Sequence, residues 1–180
     1  MDSAQYPPLK PMRFPIKVST VLCIALLLML VALNQPLKTP AAPQGMISLQ
    51  LSGTAEQAQA ILASWRHENL SLARLSLWID FLFIAAYLTV LFQLTRRFTA
   101  DRPGVREKIT GRWIRSLFII AAVSDVGENI VLLNNFSPPD NTLSMVASIL
   151  ALVKFTGLLL GVAGLVIIRA ARRQPLTPAS

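Results

Sequence analysis

Five polar side chains that could do chemistry lie inside long apolar segments of this sequence, and they are Asp80, Asp125, Glu128, Asn129 and Lys154. Spacings of three and four residues place the two acids and the amide of segment 125–129 on one face of a helix. Ionisable residues are rare in segments long enough to cross a bilayer, where they usually face the bundle interior or water. They therefore indicate a binding site for a small ligand, a cation or a proton. Two carboxylates in different environments could also divide acid and base roles in an enzyme that acts on a lipid-borne substrate.

A packing role is the competing interpretation of the same residues. Lys154 could bridge to one of the carboxylates, while a neutral carboxyl bonds to Tyr87 or Asn129, so that the cluster only fixes the register of the helices. Tyr87 follows Asp80 by seven residues and shares its helical face. Three acids against one lysine leave a formal excess of two negative charges, which a proton, a bound cation or water must relieve.

The composition is that of a membrane protein whose first partner is the lipid bilayer. The chain has 180 residues, is 53% hydrophobic and 14% charged, and has a mean hydropathy of +0.54. The net charge of +8 does not indicate nucleic-acid binding, because the basic residues flank apolar runs. A single cysteine, Cys23, and a single histidine, His67, exclude an intrachain disulfide, bis-histidine haem ligation and a zinc cluster. We therefore expect no cofactor and no metal.

Four apolar runs are long enough to cross a membrane, so we predict an all-α membrane protein built on a four-helix transmembrane bundle. The predicted transmembrane helices cover residues 18–34, 72–95, 115–136 and 143–168. The remaining segments are a basic lead (1–17), a long loop (35–71), a basic loop (96–114), a short loop (137–142) and a tail (169–180). The first run could also be a signal peptide, but Pro40 and Pro43 crowd the plausible cleavage region, which favours an uncleaved anchor.

Cation counts in the connecting segments predict the orientation of the bundle. Seven lysines and arginines lie between Arg96 and Arg115, whereas the short loop 137–142 has none. By the positive-inside rule the basic loop and both termini are cytoplasmic. We therefore predict a multi-pass protein of the cell inner membrane, with the long and short loops on the extracytoplasmic side.

The long external loop is predicted to have structure of its own. Residues 46–52 alternate apolar and polar side chains, which predicts a strand. Thr54, with Gln57 three residues later, forms a capping box that begins an amphipathic helix over residues 55–66. We expect this helix to lie on the membrane surface or to lid the bundle, with Trp65 at the interface. A lone strand needs a partner, so it either packs as extended chain or pairs with another copy.

The depths of the buried charges carry the main functional inference. Because successive spans run in opposite directions, Asp80, the 125–129 segment and Lys154 differ in height by only roughly 5 Å at about 1.5 Å of rise per residue. Four unpaired central charges would cost on the order of 10–14 kcal/mol on insertion, so they should be paired inside the bundle. We therefore expect one polar cluster in the outer half of the bundle, with the first span at the periphery.

Small residues in the fourth span predict a helix-packing face made of Gly157, Gly161 and Gly164. The first two of these share a face with Lys154, and their spacing is the small-xxx-small pattern of closely approaching helices. The neighbouring helix could belong to the same chain, to a second copy in a homo-oligomer, or to another membrane protein.

The pattern W-x-D-F-L-F-x-x-x-Y from Trp78 to Tyr87, followed by D-x-x-E-N from Asp125 to Asn129, resembles a group of small, uncharacterised bacterial multi-span membrane proteins. The resemblance covers about residues 46–168 and implies the membrane fold alone, because no activity, ligand or catalytic residue comes with it. From the residues themselves we expect a binding or proton-linked module. A structural or assembly subunit and a membrane enzyme are the alternatives.

Overall fold

The structure is a computed structural model that describes residues 14–65, 67–99 and 105–171. Every regular element within these residues is helical. Along the chain they are α1 (Phe14–Asn34), α2 (Met46–Gln50), α3 (Ala55–Ser64), α4 (His67–Thr99), α5 (Val105–Asn134) and α6 (Asn141–Ala171), with a 3₁₀ turn at Gln35–Leu37. The four long helices are each long and apolar enough to span a membrane. The prediction of an all-α class is therefore confirmed, as is that of four helices long and apolar enough to span a membrane.

The long helices extend beyond the predicted spans. The predicted loop at 96–114 is wrong over most of its length, because α4 continues to Thr99 and α5 is already helical at Val105. Arginine and lysine are good helix formers, and their long side chains reach water from a helix, so a basic stretch need not be a loop. Most of the predicted basic lead and tail lies outside the described residues, as do residues 100–104.

The long helices pack in the order α1, α4, α5, α6. α1 lies on α4, α4 lies on α5, and the most extensive contact joins α5 to α6. In the described part of the chain α1 has no extensive contact with α6. Many apolar side chains of α1 are exposed, including Leu28 at 63% and Val21 at 67%. α1 is therefore the peripheral helix, as expected for the span without a charge.

The glycine face of α6 packs on α5 of the same chain. A Cβ placed on Gly157 would lie 3.1 Å from the Cβ of Ala121, and a Cβ on Gly161 would fall on the ring of Phe118. Gly164 also faces α5. A close approach of two helices within the chain therefore accounts for the three glycines, without a homo-oligomer or another membrane protein at this face.

Residues 35–65 form a cap over one end of the bundle. Its buried apolar side chains form one core with residues of α4, α5 and α6, and those from the cap are Leu37, Ala42, Met46, Leu49, Ala58, Ile61, Leu62 and Trp65. The backbone N–H of Gly53 donates to Ser148 Oγ at 3.0 Å, and that of Ala55 donates to Asn141 Oδ1 at 2.8 Å. The cap is therefore fixed to α6 by both apolar packing and hydrogen bonds.

The predicted strand at 46–52 is wrong, because the structure has α2 there. Met46 and Leu49 are buried at a helical spacing of three, whereas Ile47, on the apolar face of the predicted strand, is 38% exposed. A helical turn satisfies many of its own backbone groups, and Asn34 Oδ1 accepts from the N–H of Met46 at 2.8 Å. A lone strand would leave these groups unpaired.

Trp65 is buried in the cap, so its expected position at the membrane interface is wrong. Its side chain is 3% exposed, and its Nε1–H donates to the carbonyl oxygen of Leu37 at 2.8 Å. A buried indole N–H needs such an acceptor. Thr54 caps α3 by accepting from the N–H of Gln57 at 3.2 Å. The apolar stripe of α3 joins the shared core, so α3 lids the bundle.

Asp140 caps the amino-terminal end of α6, and this contact predicts a pH dependence of stability. Its Oδ1 accepts from the backbone N–H groups of Leu143 at 3.0 Å and Thr142 at 2.7 Å, which hold the pKa of the carboxyl below its ordinary value. A carboxyl with a lowered pKa in the folded state stabilises the fold above the ordinary pKa, and this contribution is lost as pH falls through the lowered value.

We therefore expect acidification to lower the melting temperature of the wild type more than that of Asp140→Asn, in which an amide oxygen keeps the cap without titrating. Thermal unfolding of both proteins in detergent between about pH 6 and about pH 3 measures the difference. Parallel curves for the two proteins would contradict a titrating cap at this position.

Candidate functional site

Lys154 of α6 lies at the centre of the polar cluster, between two carboxylates of α5. Its Nζ is 3.0 Å from Asp125 Oδ1 and 2.7 Å from Glu128 Oε2. All three residues are buried, and Glu128 is fully inaccessible at 0%. The ammonium also lies 4.8 Å from the ring centre of Phe155, within cation–π range. One cation of α6 is therefore shared by two acids that are about one helical turn apart on α5.

α4 contributes the other wall of the cluster through two hydrogen bonds. Asn129 Nδ2 donates to Asp80 Oδ2 at 2.7 Å, and the hydroxyl of Tyr87 donates to Asp125 Oδ2 at 3.1 Å. A spacing of seven residues explains why Asp80 and Tyr87 both project from one face of α4. Contacts among α4, α5 and α6 thus bring together Asp80, Tyr87, Asp125, Glu128, Asn129 and Lys154.

The formal charges in this cluster do not balance. Lys154 forms ion pairs with Asp125 and Glu128, whereas the described residues provide no ion pair for Asp80. The hydrogen-bond partner of Asp80 is the amide of Asn129. The nearby Asp125 carboxylate repels its charge, and Lys154 attracts it without forming an ion pair. A carboxylate removed from water without a cation is costly. Asp80 is therefore the acid in the cluster that has no ion-pair partner among the described residues.

Two oxygens of the cluster, Glu128 Oε1 and Asn129 Oδ1, are buried without a hydrogen-bond donor from the described residues. The oxygens that face Lys154 lack a hydrogen bond of regular geometry, but ion pairs at 3.0 and 2.7 Å satisfy them. An unpaired buried acceptor costs about 1–3 kcal/mol. The side chains of the cluster therefore do not saturate one another.

A cavity of about 250 Å³ reaches the cluster from one side. Its polar lining includes Asp80, Tyr87, Asp125 and Lys154. The other walls are mainly apolar, and their apolar residues are Leu30, Val31, Met46, Ile47, Leu77, Phe83, Phe155 and Leu158. Glu128 and Asn129 do not line the cavity, so they lie behind the side chains that do. A cavity with mainly apolar walls and a few convergent polar groups is typical of a ligand site.

The cap supplies the part of the cavity that the sequence did not predict. Met46, Ile47 and Gln50 line it, so α2 covers the site rather than the amphipathic helix α3. Asn34, another lining residue, holds α2 in place by also donating from Nδ2 to the carbonyl oxygen of Gln44 at 3.1 Å. The sequence signal for α2 was a pair of apolar residues three apart. In a helix of only five residues this signal is too weak to outweigh the alternation of apolar and polar residues in the same segment.

The described residues contain no group of three or more His, Cys, Asp or Glu side chains placed to hold a metal ion. In the polar cluster, ion pairs to Lys154 and the hydrogen bonds from Tyr87 and Asn129 occupy most of the carboxylate oxygens instead.

Comparison of the chain with protein-family models, with curated proteins and with solved structures found no significant match. The function is therefore inferred from the geometry of the polar cluster and of the cavity beside it.

Proposed function

We propose that this multi-pass membrane protein binds a small cationic ligand at the Asp80 end of the cavity. The observation that carries the proposal is that Asp80 lines the cavity with an amide as its partner, while the single ammonium of the cluster is shared by the other two acids. A ligand cation gives Asp80 the counter-charge that the cluster lacks, through a charge-assisted hydrogen bond. A proton is the smallest such cation and competes with a ligand for the same carboxylate.

An alkylammonium group suits the walls of the cavity. Asp80 offers one negative charge, and the aromatic ring of Phe83 lines the cavity where it can attract a cation. A hard metal ion would need about six oxygen ligands. The mainly apolar walls cannot supply that number, whereas they do suit the carbon atoms of an organic cation.

The proposal includes a location and an orientation. We place the protein in the cell inner membrane with both termini in the cytoplasm, supported by the seven cations between Arg96 and Arg115 and their absence from the short loop 137–142. The cap is then extracytoplasmic, and the polar cluster lies in the outer half of the bundle.

A packing role for the cluster is the second candidate function, and the bridge made by Lys154 favours it. This ammonium joins α6 to two acids of α5, a geometry that fixes the relative register of two helices. If packing were the only role, the wild type would bind no ligand, and replacing Asp80 would change only the stability of the protein. The two roles are compatible, because the bridge and Asp80 occupy different parts of the cluster.

The substitution Asp80→Asn tests the binding proposal. In detergent, we expect the wild type to bind ethylammonium and Asp80→Asn to bind it at least about tenfold more weakly, because a hydrogen bond to a charged group contributes about 1.5–3 kcal/mol. Isothermal titration calorimetry measures both affinities.

Glu68→Gln is the matched control, since it removes a carboxylate from an exposed position in the first turn of the same helix. This variant should bind ethylammonium as the wild type does. Equal affinities of the wild type and Asp80→Asn, or no binding by the wild type, would contradict the proposal.

A further inference from the structure

The cavity has a rim that faces outward between α1 and α6. The three lining residues that are exposed are Val31 at 49%, Ile47 at 38% and Phe155 at 41%. They come from α1, α2 and α6 respectively, and all three are apolar. A side chain that both lines a cavity and reaches the molecular surface marks its mouth. The mouth therefore lies where α1 and α6 lack extensive contact.

This mouth opens within the apolar belt of the bundle. Val31 and Phe155 lie inside the candidate membrane spans Pro15–Leu37 and Asn141–Ala170. Their exposed neighbours are also apolar, such as Leu28 at 63% and Leu152 at 58%. In a membrane such a surface contacts acyl chains rather than water. The part of the rim that α1 and α6 form therefore meets the bilayer.

The polarity of the cavity runs from an apolar rim to a charged interior. Asp125 and Lys154, at the inner end, are 3% and 5% exposed. At the cap end Met46 and Gln50 line the cavity at 8% exposure each, so α2 covers it there. A ligand that passes the rim must be apolar at one end and cationic at the other to match both regions.

We propose that the ligand is an amphiphile with an ammonium head and an alkyl chain, and that it enters sideways from the bilayer between α1 and α6. This inference rests on the proposed cation site at Asp80 and names the class of its ligand. The cavity of about 250 Å³ is smaller than the roughly 300–1,000 Å³ of pockets that enclose a drug-sized molecule. It holds the head and the first methylenes, and the rest of the chain lies in the mouth.

Chain length is the first test of this inference, measured with the purified full chain in detergent. Hexylammonium should bind at least about tenfold more tightly than ethylammonium, because each buried methylene contributes about fourfold in affinity. Hexanol, which has the chain but no charge, should not compete with hexylammonium. Equal affinities for the two amines would overturn the sideways site and leave the cation site standing, whereas failure of both amines to bind would overturn the proposed function itself.

The substitution Val31→Trp tests the position of the mouth by filling the gap on the α1 side. We expect it to weaken hexylammonium at least about tenfold, and to weaken it more than ethylammonium, because the added ring takes the space of several buried methylenes. Met29→Trp is the matched control, since Met29 is 47% exposed on the same helix and does not line the cavity. If both variants bind hexylammonium as the wild type does, the chain does not lie between α1 and α6.

The same ammonium head can belong to a membrane lipid or to a free long-chain amine. Phosphatidylglycerol nanodiscs with and without phosphatidylethanolamine distinguish these two sources. Competition of phosphatidylethanolamine with hexylammonium supports a lipid headgroup as the ligand. Unchanged hexylammonium affinity, with the chain-length dependence retained, supports a free amine. Loss of that dependence in both kinds of nanodisc would overturn the inference.

Discussion

Replacing Lys154 with methionine is expected to lower the free energy of unfolding by about 3–5 kcal/mol, because it leaves two buried carboxylates without their counter-ion. The ammonium lies 3.0 Å from Asp125 and 2.7 Å from Glu128, and Glu128 has no exposed surface. Methionine is similar in length and apolar, so it removes the charge while filling much of the same space. Unfolding with sodium dodecyl sulfate in mixed micelles, followed by tryptophan fluorescence, gives the free-energy change.

Two further variants distinguish the loss of the ion pairs from a change in packing. Thr156→Met places the same side chain at an exposed position of α6 and should change stability by less than about 0.5 kcal/mol. Lys154→Met combined with Asp125→Asn and Glu128→Gln should recover at least half of the loss, since the uncompensated negative charges are gone. A loss below about 1 kcal/mol for Lys154→Met alone would mean that the acids do not need the ammonium.

The number and class of the long helices were predictable because apolar run length alone decides them. A bilayer requires about 20 apolar residues per helix, and the described part of this chain has four such runs. The same reasoning indicated a paired polar cluster, because the insertion cost of isolated charges applies whatever their partners are. These inferences need only the sequence and the properties of the lipid.

The pairing inside the cluster was not predictable, because it depends on rotamers and helix rotations. The sequence left open whether Asp125 or Glu128 would meet Lys154, and in the structure both do. It also left open which polar group would meet which carboxyl. Asn129 donates to the acid of α4, and Tyr87 donates to an acid of α5. Differences of this kind follow from small rotations of whole helices.

The cavity could not be predicted from the sequence either. It exists because α2 is helical and because α1 lacks extensive contact with α6. The helix α2 was not predicted, because residues 46–52 alternate apolar and polar side chains as a strand does. The lack of extensive contact between α1 and α6 follows from tertiary packing among nearly uniform apolar surfaces. α1 carries exposed apolar side chains around much of its circumference, so its sequence does not specify which face meets α4.

The substitution Gly161→Ala is expected to destabilise the bundle by about 1–3 kcal/mol through overpacking between α5 and α6. The added methyl would fall on the ring of Phe118, which is fully buried at 0% and is packed in one cluster with Ile114 and Leu165. A buried ring in a close-packed core cannot move aside without displacing its own neighbours. Unfolding in mixed micelles measures the loss, which should not depend on protein concentration, because the contact is within one chain.

Other glycines of the bundle provide graded controls for this substitution. A methyl on Gly164 would meet the flexible end of Ile114, so Gly164→Ala should cost less. A methyl on Gly127 would lie 3.3 Å from the end of Leu150, so Gly127→Ala should be neutral or stabilising by up to about 1 kcal/mol, since alanine favours the helix. Adding Phe118→Leu to Gly161→Ala should recover part of the loss. If it recovers nothing, the loss does not arise from the ring, and a partner outside the chain becomes the better explanation of the glycine.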